Sequence, residues 1–240
     1  MSKPTSRSTQ TDEFNTYKDD YSQQIEEQLS FAGQNHDFYT KVKVAYLLKQ
    51  VQKVRSRLSE THLKLLDVGC GHGIAHPFIL EQDKEILLYG VDPADEVIEM
   101  ARKNVGIEYS SNDGITLPYA DDTFDVTFTI CVMHHVPPTQ WQAFLQEMYR
   151  VTRKSGELII FEHNPYNPLT VRIVNNCPLD KNATLLKPKQ IKSMMQDISL
   201  LEPTNDFILF FPFDFKVFRI LEQGLKWLPI GAQYVVHAEK

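Results

Sequence analysis

The sequence predicts an α/β fold in which a doubly wound, mainly parallel sheet is covered by helices. Short apolar runs of strand length alternate with amphipathic helical segments from residue 63 onward, a pattern typical of βαβ units. The run at 65–68 leads into a turn of alternating glycines, and the next run, at 86–91, ends at Asp92. These two runs and the segment between them predict a βαβ unit that holds a nucleoside.

The elements follow from apolar periodicity and turn residues. The predicted strands lie at 63–68, 86–91, 107–109, 124–132, 158–161, 207–211 and 233–238. The predicted helices lie at 76–82, 94–104, 139–152, 188–198 and 215–227. Pro165, Pro168 and Pro178 interrupt the segment 164–187, which we expect to be an inserted cap after the fifth strand.

The chain divides into three predicted regions, of which the last is the main domain. Residues 1–13 are polar and rich in Ser, Thr and Lys, and we expect them to be a disordered tail. Residues 14–60 predict a helical cap or lid, and residues 61–240 predict the catalytic domain. Within the lid, five apolar residues recur at helical spacing and are expected to pack on the core: Val44, Leu47, Leu48, Val51 and Val54.

Composition narrows the class of protein. The chain has 240 residues and a formal net charge of −6, which suits one α/β domain and argues against a general phosphate-binding surface, so no nucleic-acid partner is expected. Its three cysteines are widely spaced and predict neither a disulfide framework nor a metal site. Its eight histidines do not form a ligand set with acidic residues at helical spacing, so no metal is expected. With no apolar leader and no run of membrane-spanning length, a cytoplasmic location is expected.

The glycine turn distinguishes between two kinds of nucleoside ligand. Gly69, Gly71 and Gly73 alternate, and Asp67 lies two residues before the first of them. A dinucleotide site needs a sixth-position glycine, where this chain has Ile74. A carboxylate at Asp67 repels phosphate but suits a ligand that carries a cation. The turn therefore disfavours a nicotinamide-dependent oxidoreductase, which remains the alternative enzyme.

Polar or small residues follow five of the predicted strands. They are Asp67, Asp92, Asp113, Cys131 and Glu162. Ligands of doubly wound sheets bind outside the carboxyl ends of the strands, so these side chains are expected to line one crevice. Two of them have simpler explanations, since Asp92 can cap the next helix and Asp113 lies in an Asn-Asp-Gly turn.

The stretch from Leu65 to Phe161 resembles the class I S-adenosylmethionine-dependent methyltransferases with a methyltransferase-11-like domain. The similar motifs are the glycine turn, Asp92, the segment 113–125, Met133-His134-His135-Val136 and 150–156. The resemblance implies a Rossmann-like seven-stranded sheet whose last strand is antiparallel. It also implies S-adenosylmethionine as the cofactor, S-adenosylhomocysteine as its product, and these cofactor-binding residues: Asp67, Gly69, Cys70, Gly71, Gly73, Asp92, Pro93, Asp113, Gly114, Cys131, Tyr17 and Tyr21.

The predicted reaction is in-line methyl transfer to a small molecule, with glycan- or lipid-linked compounds among the candidate acceptors. An oxygen or amine acceptor needs a base, for which His163 and then His135 are the candidates. The alternative for the His134-His135 pair is a structural role. The phenylalanine-rich segment 207–218 is expected to be core or to contact an apolar acceptor or a membrane surface. A non-catalytic subunit that binds the cofactor is the third hypothesis, and the sequence predicts no oligomeric state.

Overall fold

The computed structural model describes residues 36–211 and 216–240. Its centre is one seven-stranded sheet with the order β3-β2-β1-β4-β5-β7-β6. The strands are β1 Leu63–Val68, β2 Ile86–Asp92, β3 Glu108–Ser111, β4 Phe124–Ile130, β5 Thr152–His163, β6 Leu201–Ile208 and β7 Gln233–Glu239. The predicted fold class is confirmed, because β7 runs antiparallel to both β5 and β6 while β1 to β5 pair in parallel.

Seven helices of the described part of the chain flank this sheet. They are α1 His36–Leu58, α2 His76–Gln82, α3 Asp95–Ala101, α4 Trp141–Val151, α5 Pro168–Asn176, α6 Pro188–Asp197 and α7 Lys216–Leu225. Short 3-10 turns occupy Met133–His135, Pro138–Gln140 and Pro178–Asp180. None of the helices within 36–211 and 216–240 combines the length and apolarity that a membrane crossing needs.

Two apolar layers cover the opposite faces of the sheet. One contains α4 and α6 residues, among them Leu145 and Ile191, and the other contains α1 and α2 residues such as Leu47 and Ile79. The predicted helical stripe in α1 is confirmed: Val44, Leu47, Val51 and Val54 are fully buried, and Leu48 is partly buried. Burial of large aliphatic side chains on both faces explains why the central strands read as continuous apolar runs.

Several predicted boundaries are wrong for identifiable reasons. Strand β4 ends at Ile130 rather than at 132 because Cys131 takes a positive φ of 57°, which breaks extended geometry. Strand β5 is longer than predicted, since the chain passes through Ser155 at φ 59° and pairs again with β4 from Glu157. The prediction of 158–161 missed these flanks because a Ser-Gly pair indicates a turn.

The sixth strand also lies earlier than predicted. It spans Leu201–Ile208 rather than 207–211, and Leu209, at φ 60°, follows it. It pairs on one side only, with β7. An edge strand keeps polar residues such as Glu202 and Asp206 at its surface, so it lacks the apolar run on which the prediction depended.

The segment 164–187 contains α5 and the 3-10 turn Pro178–Asp180. It is held against the sheet by polar contacts. The Asn164 side-chain amide donates to the carbonyl of Gly231 at 2.7 Å, and the Thr184 amide donates to the carbonyl of His134 at 2.8 Å. These contacts bring the segment to the carboxyl ends of β4 and β5.

Candidate active site

The glycine turn after β1 is held close to the neighbouring strands. The amides of Gly69 and Cys70 both donate to the carbonyl of Val91, at 2.8 and 3.0 Å. All three glycines of the turn have positive φ angles, which favour glycine. A Cβ at Gly69 would lie 2.6 Å from the Val132 side chain. The first glycine therefore allows the β1 turn to contact the loop after β4.

The second glycine has a different function. An added Cβ at Gly71 would meet no atom within 4 Å. One at Gly73 would lie 2.7 Å from the Tyr109 hydroxyl. Gly73 thus permits internal packing, whereas Gly71 borders open space at the carboxyl end of the sheet. A side chain at position 71 would fill a space that a ligand can use.

Asp67 begins a buried chain of polar contacts beneath this turn. Its Oδ2 lies 3.0 Å from His76 Nε2, and His76 Nδ1 lies 2.7 Å from the Tyr109 hydroxyl. The Asn104 amide donates to that hydroxyl at 3.1 Å. Asp67 Oδ1 is buried and accepts no hydrogen bond from the described residues. A buried carboxylate oxygen without a donor is costly, and a ligand ammonium group would satisfy it.

Asp92 ends β2 and faces the same turn. Its Oδ2 accepts from the Gly71 amide at 3.0 Å and its Oδ1 accepts from the Ala94 amide at 2.9 Å. The cap interpretation of Asp92 is wrong, because the next helix begins at Asp95 with Ala94 as its N-cap and no side chain caps it. The ligand interpretation fits this geometry, because a carboxylate has about four lone-pair sites. Burial raises the pKa of the Asp92 carboxyl to about 6. Its ionisation state therefore changes just below neutral pH.

Asp113 and Gly114 lie in the loop after β3. Asp113 is exposed and its Oδ1 accepts from the amides of Ile115 and Thr116, at 3.0 and 2.6 Å. Gly114 has a φ of 88°, and a Cβ there would lie 3.8 Å from that of Pro93. The turn chemistry predicted for Asp113 is therefore present, and the turn lies beside the end of β2.

The two candidate cysteines differ in their surroundings. Burial raises the pKa of the Cys70 thiol well above its usual range, and the Asp67 and Asp92 carboxylates add to the effect. Cys131 turns the chain at the end of β4, and its amide donates to the carbonyl of Phe161 at 2.8 Å. The Gln233 side-chain nitrogen lies 3.3 Å from Cys131 Sγ. Cys131 therefore contacts a second group of residues around β5, and its neighbour Val132 borders Gly69.

That second group centres on a buried ion pair. His134 Nδ1 lies 2.6 Å from Glu162 Oε2, and its Nε2 lies 3.4 Å from Asp180 Oδ1. His135 Nε2 also lies 3.4 Å from Asp180 Oδ1. Burial alone would lower the pKa of His134, but the Glu162 and Asp180 carboxylates raise it well above its usual value. His134 is therefore charged in this arrangement.

The two histidines predicted as bases lie beside His134. The His163 ring centroid is 5.0 Å from that of His134, and the His135 centroid is 4.1 Å away. Burial, together with the His134 charge, lowers the pKa of His163 to about 4 and that of His135 to about 3. Both rings are therefore neutral near pH 7 and can each accept a proton.

Sequence comparison places this geometry in a family. The model of a methyltransferase domain matches residues 66–160, the range that contains the glycine turn, Asp92 and the His134-His135 pair. Residues 66–160 form a class I methyltransferase domain. The methyl donor of this family is S-adenosylmethionine, and the open space at Gly71 and the buried Asp67 oxygen fit such a ligand.

Known proteins similar to this chain differ in what their names say they modify. A fatty-acid O-methyltransferase of Mycolicibacterium smegmatis is 26% identical over 149 residues, covering 60% of this chain and 54% of that protein. A yeast (Saccharomyces cerevisiae) tRNA (carboxymethyluridine(34)-5-O)-methyltransferase is 33% identical over 101 residues, covering 40% and 34%. The chain thus spans about half of the first relative and a third of the second.

A solved structure supports the fold over most of this chain. A methyltransferase of Thermotoga maritima, titled a possible histamine N-methyltransferase, matches with a TM-score of 0.66. The two share 19% identity, and the match covers 95% of this chain and 99% of that one. At this identity the likeness concerns the fold alone.

The structure brings most of the predicted site residues to one edge of the sheet. Tyr17 and Tyr21 lie outside the described residues. Sequence reasoning did not connect Glu162 with His134 and did not select Asp180, although a buried acidic residue at the end of an apolar strand was a usable signal for Glu162. The histidine spacing predicted no metal site, yet donor atoms of His134, His135 and Asp180 lie within 4.8 Å of one another.

Proposed function

We propose that this chain transfers a methyl group from S-adenosylmethionine to a small-molecule acceptor. The observation that carries the proposal is the convergence of Gly71, Asp67 and Asp92. Gly71 borders open space, Asp67 Oδ1 is buried without a donor, and Asp92 faces the Gly71 amide. When bound, S-adenosylmethionine supplies a methyl group that its sulfonium has already activated for in-line transfer.

Each residue of the first group has a proposed role. The backbone of Gly69, Gly71 and Gly73 forms the floor under the methionine part, and Asp67 accepts from its ammonium group. Asp92 accepts from ribose hydroxyls through its remaining lone pairs. The loop that contains Asp113 and Gly114 borders the adenine ring, while Cys70, Pro93 and Cys131 shape the walls. These residues bind and orient the donor, which accounts for much of the rate that such a reaction needs.

His163 is the proposed base for an oxygen or nitrogen acceptor. It is neutral near pH 7, since burial keeps its pKa near 4. The Gln233 side-chain amide lies 3.4 Å from His163 Nδ1, and its oxygen accepts no hydrogen bond as placed. Because oxygen and nitrogen of an amide are exchanged by a rotation, Gln233 can accept from Nδ1–H and leave Nε2 as the proton acceptor. His135 is the second candidate.

An apolar or lipid-linked acceptor is the favoured class. Tyr166, Leu169 and Ile230 are exposed by 45 to 57%. They lie together because the Asn167 amide of the same segment donates to the carbonyl of Ile230 at 2.7 Å. An exposed group of large apolar side chains next to the strand-five histidine favours a hydrophobic acceptor or a peripheral membrane contact. The similar fatty-acid O-methyltransferase supports this class.

A nucleic-acid acceptor is the second candidate, because a relative of 33% identity is named a tRNA methyltransferase. The net charge of −6 weighs against it, since RNA binding depends largely on contacts between cationic side chains and phosphates. We therefore place the small-molecule acceptor first.

Calorimetry tests the donor part of the proposal. Wild-type protein is titrated with S-adenosylmethionine, S-adenosylhomocysteine and NADH. We expect micromolar binding of the first two, which Asp92→Asn weakens at least 10-fold. Asp95→Asn is the matched control, because Asp95 is an exposed carboxylate on α3. Binding of NADH in preference to the sulfur ligands would overturn the proposal and restore the oxidoreductase.

Methyl transfer tests the acceptor part. Radiolabelled donor is incubated with the protein and either a fatty-acid and lipid extract or total tRNA. We expect label in the lipid fraction, and label confined to tRNA would replace the small-molecule acceptor with RNA. Intact donor binding without transfer to either fraction would favour the non-catalytic subunit.

A further inference from the structure

We infer that His134, His135 and Asp180 form a binding site for a divalent transition-metal ion at the carboxyl ends of β4 and β5. Two histidine nitrogens and one carboxylate oxygen are a donor set that zinc, iron(II) and manganese accept, with positions left open for other ligands. The donor atoms lie within 4.8 Å of one another.

The distances fit ligands of one ion better than they fit hydrogen bonds. Asp180 Oδ1 lies 3.4 Å from the Nε2 atoms of both His134 and His135. Good N–H···O bonds span about 2.7–3.2 Å. Two ligand atoms held at about 2.1 Å from an ion at a tetrahedral angle lie about 3.4 Å apart. One carboxylate oxygen at this distance from two nitrogens therefore has the separations of a coordination sphere.

The residues around these ligands orient them. Glu162 Oε2 lies 2.6 Å from His134 Nδ1, so His134 keeps its Nδ1 proton when an ion displaces the proton on Nε2, which faces Asp180. Metal-binding histidines commonly have such a carboxylate partner on the second ring nitrogen. Glu162 is fully buried, and we identify it as a positioning residue for this site.

The cap segment completes the site and gives access to it. Asp180 lies in the 3-10 turn Pro178–Asp180, and its amide donates to the carbonyl of Cys177 at 3.1 Å. The Thr184 amide, which donates to the His134 carbonyl, ties the same segment to the histidine turn. A cavity of about 310 Å³ borders Asp180 and Lys181, so Asp180 can be reached from this cavity.

The location of the site indicates what a bound ion would do. His163 lies against the His134 ring, on the strand that the proposed acceptor approaches. An ion at this site has an open position for an acceptor oxygen, which it would orient and make more acidic. This use rests on the proposed function, whereas ion binding itself does not.

Cobalt(II) titration tests the ion site. The protein is dialysed against a chelator, and Co²⁺ is added while the visible absorption and the thermal unfolding are recorded. We expect an absorption band that saturates at one Co²⁺ per chain and is displaced by Zn²⁺. Asp180→Asn and His135→Ala are expected to weaken Co²⁺ binding more than 100-fold, and Glu162→Gln by about 10- to 100-fold.

The matched control is His62→Ala, since His62 is exposed and pairs with Glu85 at the other end of the strands. It should bind Co²⁺ like the wild type. Asp180→Asn and His135→Ala each remove a different ligand. If one of them fails to fold, the other still tests whether Co²⁺ binds at this site. No saturable binding, or equal affinity in His62→Ala and in the folded ligand variant, would overturn the ion site.

A parallel titration with S-adenosylhomocysteine separates this inference from the proposed function. Stoichiometric Co²⁺ binding without S-adenosylhomocysteine binding would keep the ion site and reject the methyltransferase activity. S-adenosylhomocysteine binding without Co²⁺ binding would keep the methyltransferase proposal and reject the ion site.

Discussion

Glu162, in β5, and His134, in the turn after β4, form a buried ion pair whose O–N distance is 2.6 Å. Both side chains are almost entirely excluded from solvent. The pair fixes the loop after β4 relative to the end of β5, and the two histidines proposed as bases lie beside the His134 ring.

Replacing Glu162 tests the energetic importance of this pair. Glu162→Gln leaves the His134 cation buried with a neutral partner, and breaking a buried pair costs about 3 kcal/mol of unfolding free energy. Urea unfolding at pH 6 measures the loss. A double-mutant cycle with His134→Gln is expected to recover part of the loss, because the second change removes the unpaired charge. Full additivity of the two changes would contradict the ion pair.

The pH dependence of that loss has a definite sign. The pKa of Glu162 is lowered, because the His134 charge outweighs its burial, so its contribution is present above the usual value of 4.5 and disappears as pH falls. The pKa of His134 is raised, so its contribution is present below 6.5 and disappears as pH rises through the folded-state value. The difference between wild type and Glu162→Gln is therefore expected to be largest between about pH 4.5 and 6.5.

Replacing Gly71 by alanine tests the proposed donor site, and a second glycine controls for the backbone strain that alanine causes at a positive φ. Gly71→Ala adds a methyl group where no atom lies within 4 Å, at a φ of 52°. Gly106 has a φ of 83° and is equally open, but it lies before β3 and is not part of the turn. Both alanine variants are expected to lose about 1 kcal/mol of stability. Calorimetry should show a loss of S-adenosylmethionine affinity of 10-fold or more in Gly71→Ala alone. Equal affinities in the two variants would contradict a ligand at Gly71.

The raised pKa of Asp92 predicts a pH-dependent donor affinity. Its carboxyl has a pKa of about 6 because it is buried, and only the ionised form can accept from two hydroxyls through its full set of lone pairs. Affinity for S-adenosylmethionine should therefore fall as pH decreases below 6. Titrations at several pH values measure how the affinity depends on pH, and we expect this dependence to be absent in Asp92→Asn. A wild-type affinity that stays constant between pH 5 and pH 7.5 would argue against Asp92 as a ligand.

His163 is expected to limit the rate without affecting donor binding. His163→Gln should lower kcat by about 10² to 10⁴-fold and leave the Kd for S-adenosylmethionine unchanged. Because burial lowers the pKa of His163 to about 4, kcat/KM should rise as pH increases through about 4 and stay level above it. His62→Gln provides the control. An unchanged kcat in His163→Gln would transfer the role of base to His135.

The donor half of the candidate site could be predicted from local sequence. Asp67, the three glycines and Asp92 lie at strand ends, where the fold class alone brings them together. Positive φ angles at Gly69, Gly71 and Gly73 follow from the tight turn. The location of Gly114 beside Pro93 was also predictable, because both follow neighbouring parallel strands. Whether each residue binds the donor remains a prediction.

The amino-acid sequence by itself determined the α/β class, the order of most elements and the donor turn, because these depend on apolar period and on backbone conformation within a few residues. The tertiary structure decided the contacts between His134, Glu162 and Asp180, which come from the β4 loop, β5 and the segment after β5. It also decided the pKa directions of this group. Those depend on burial and on charges distant along the chain, and no local pattern contains either quantity.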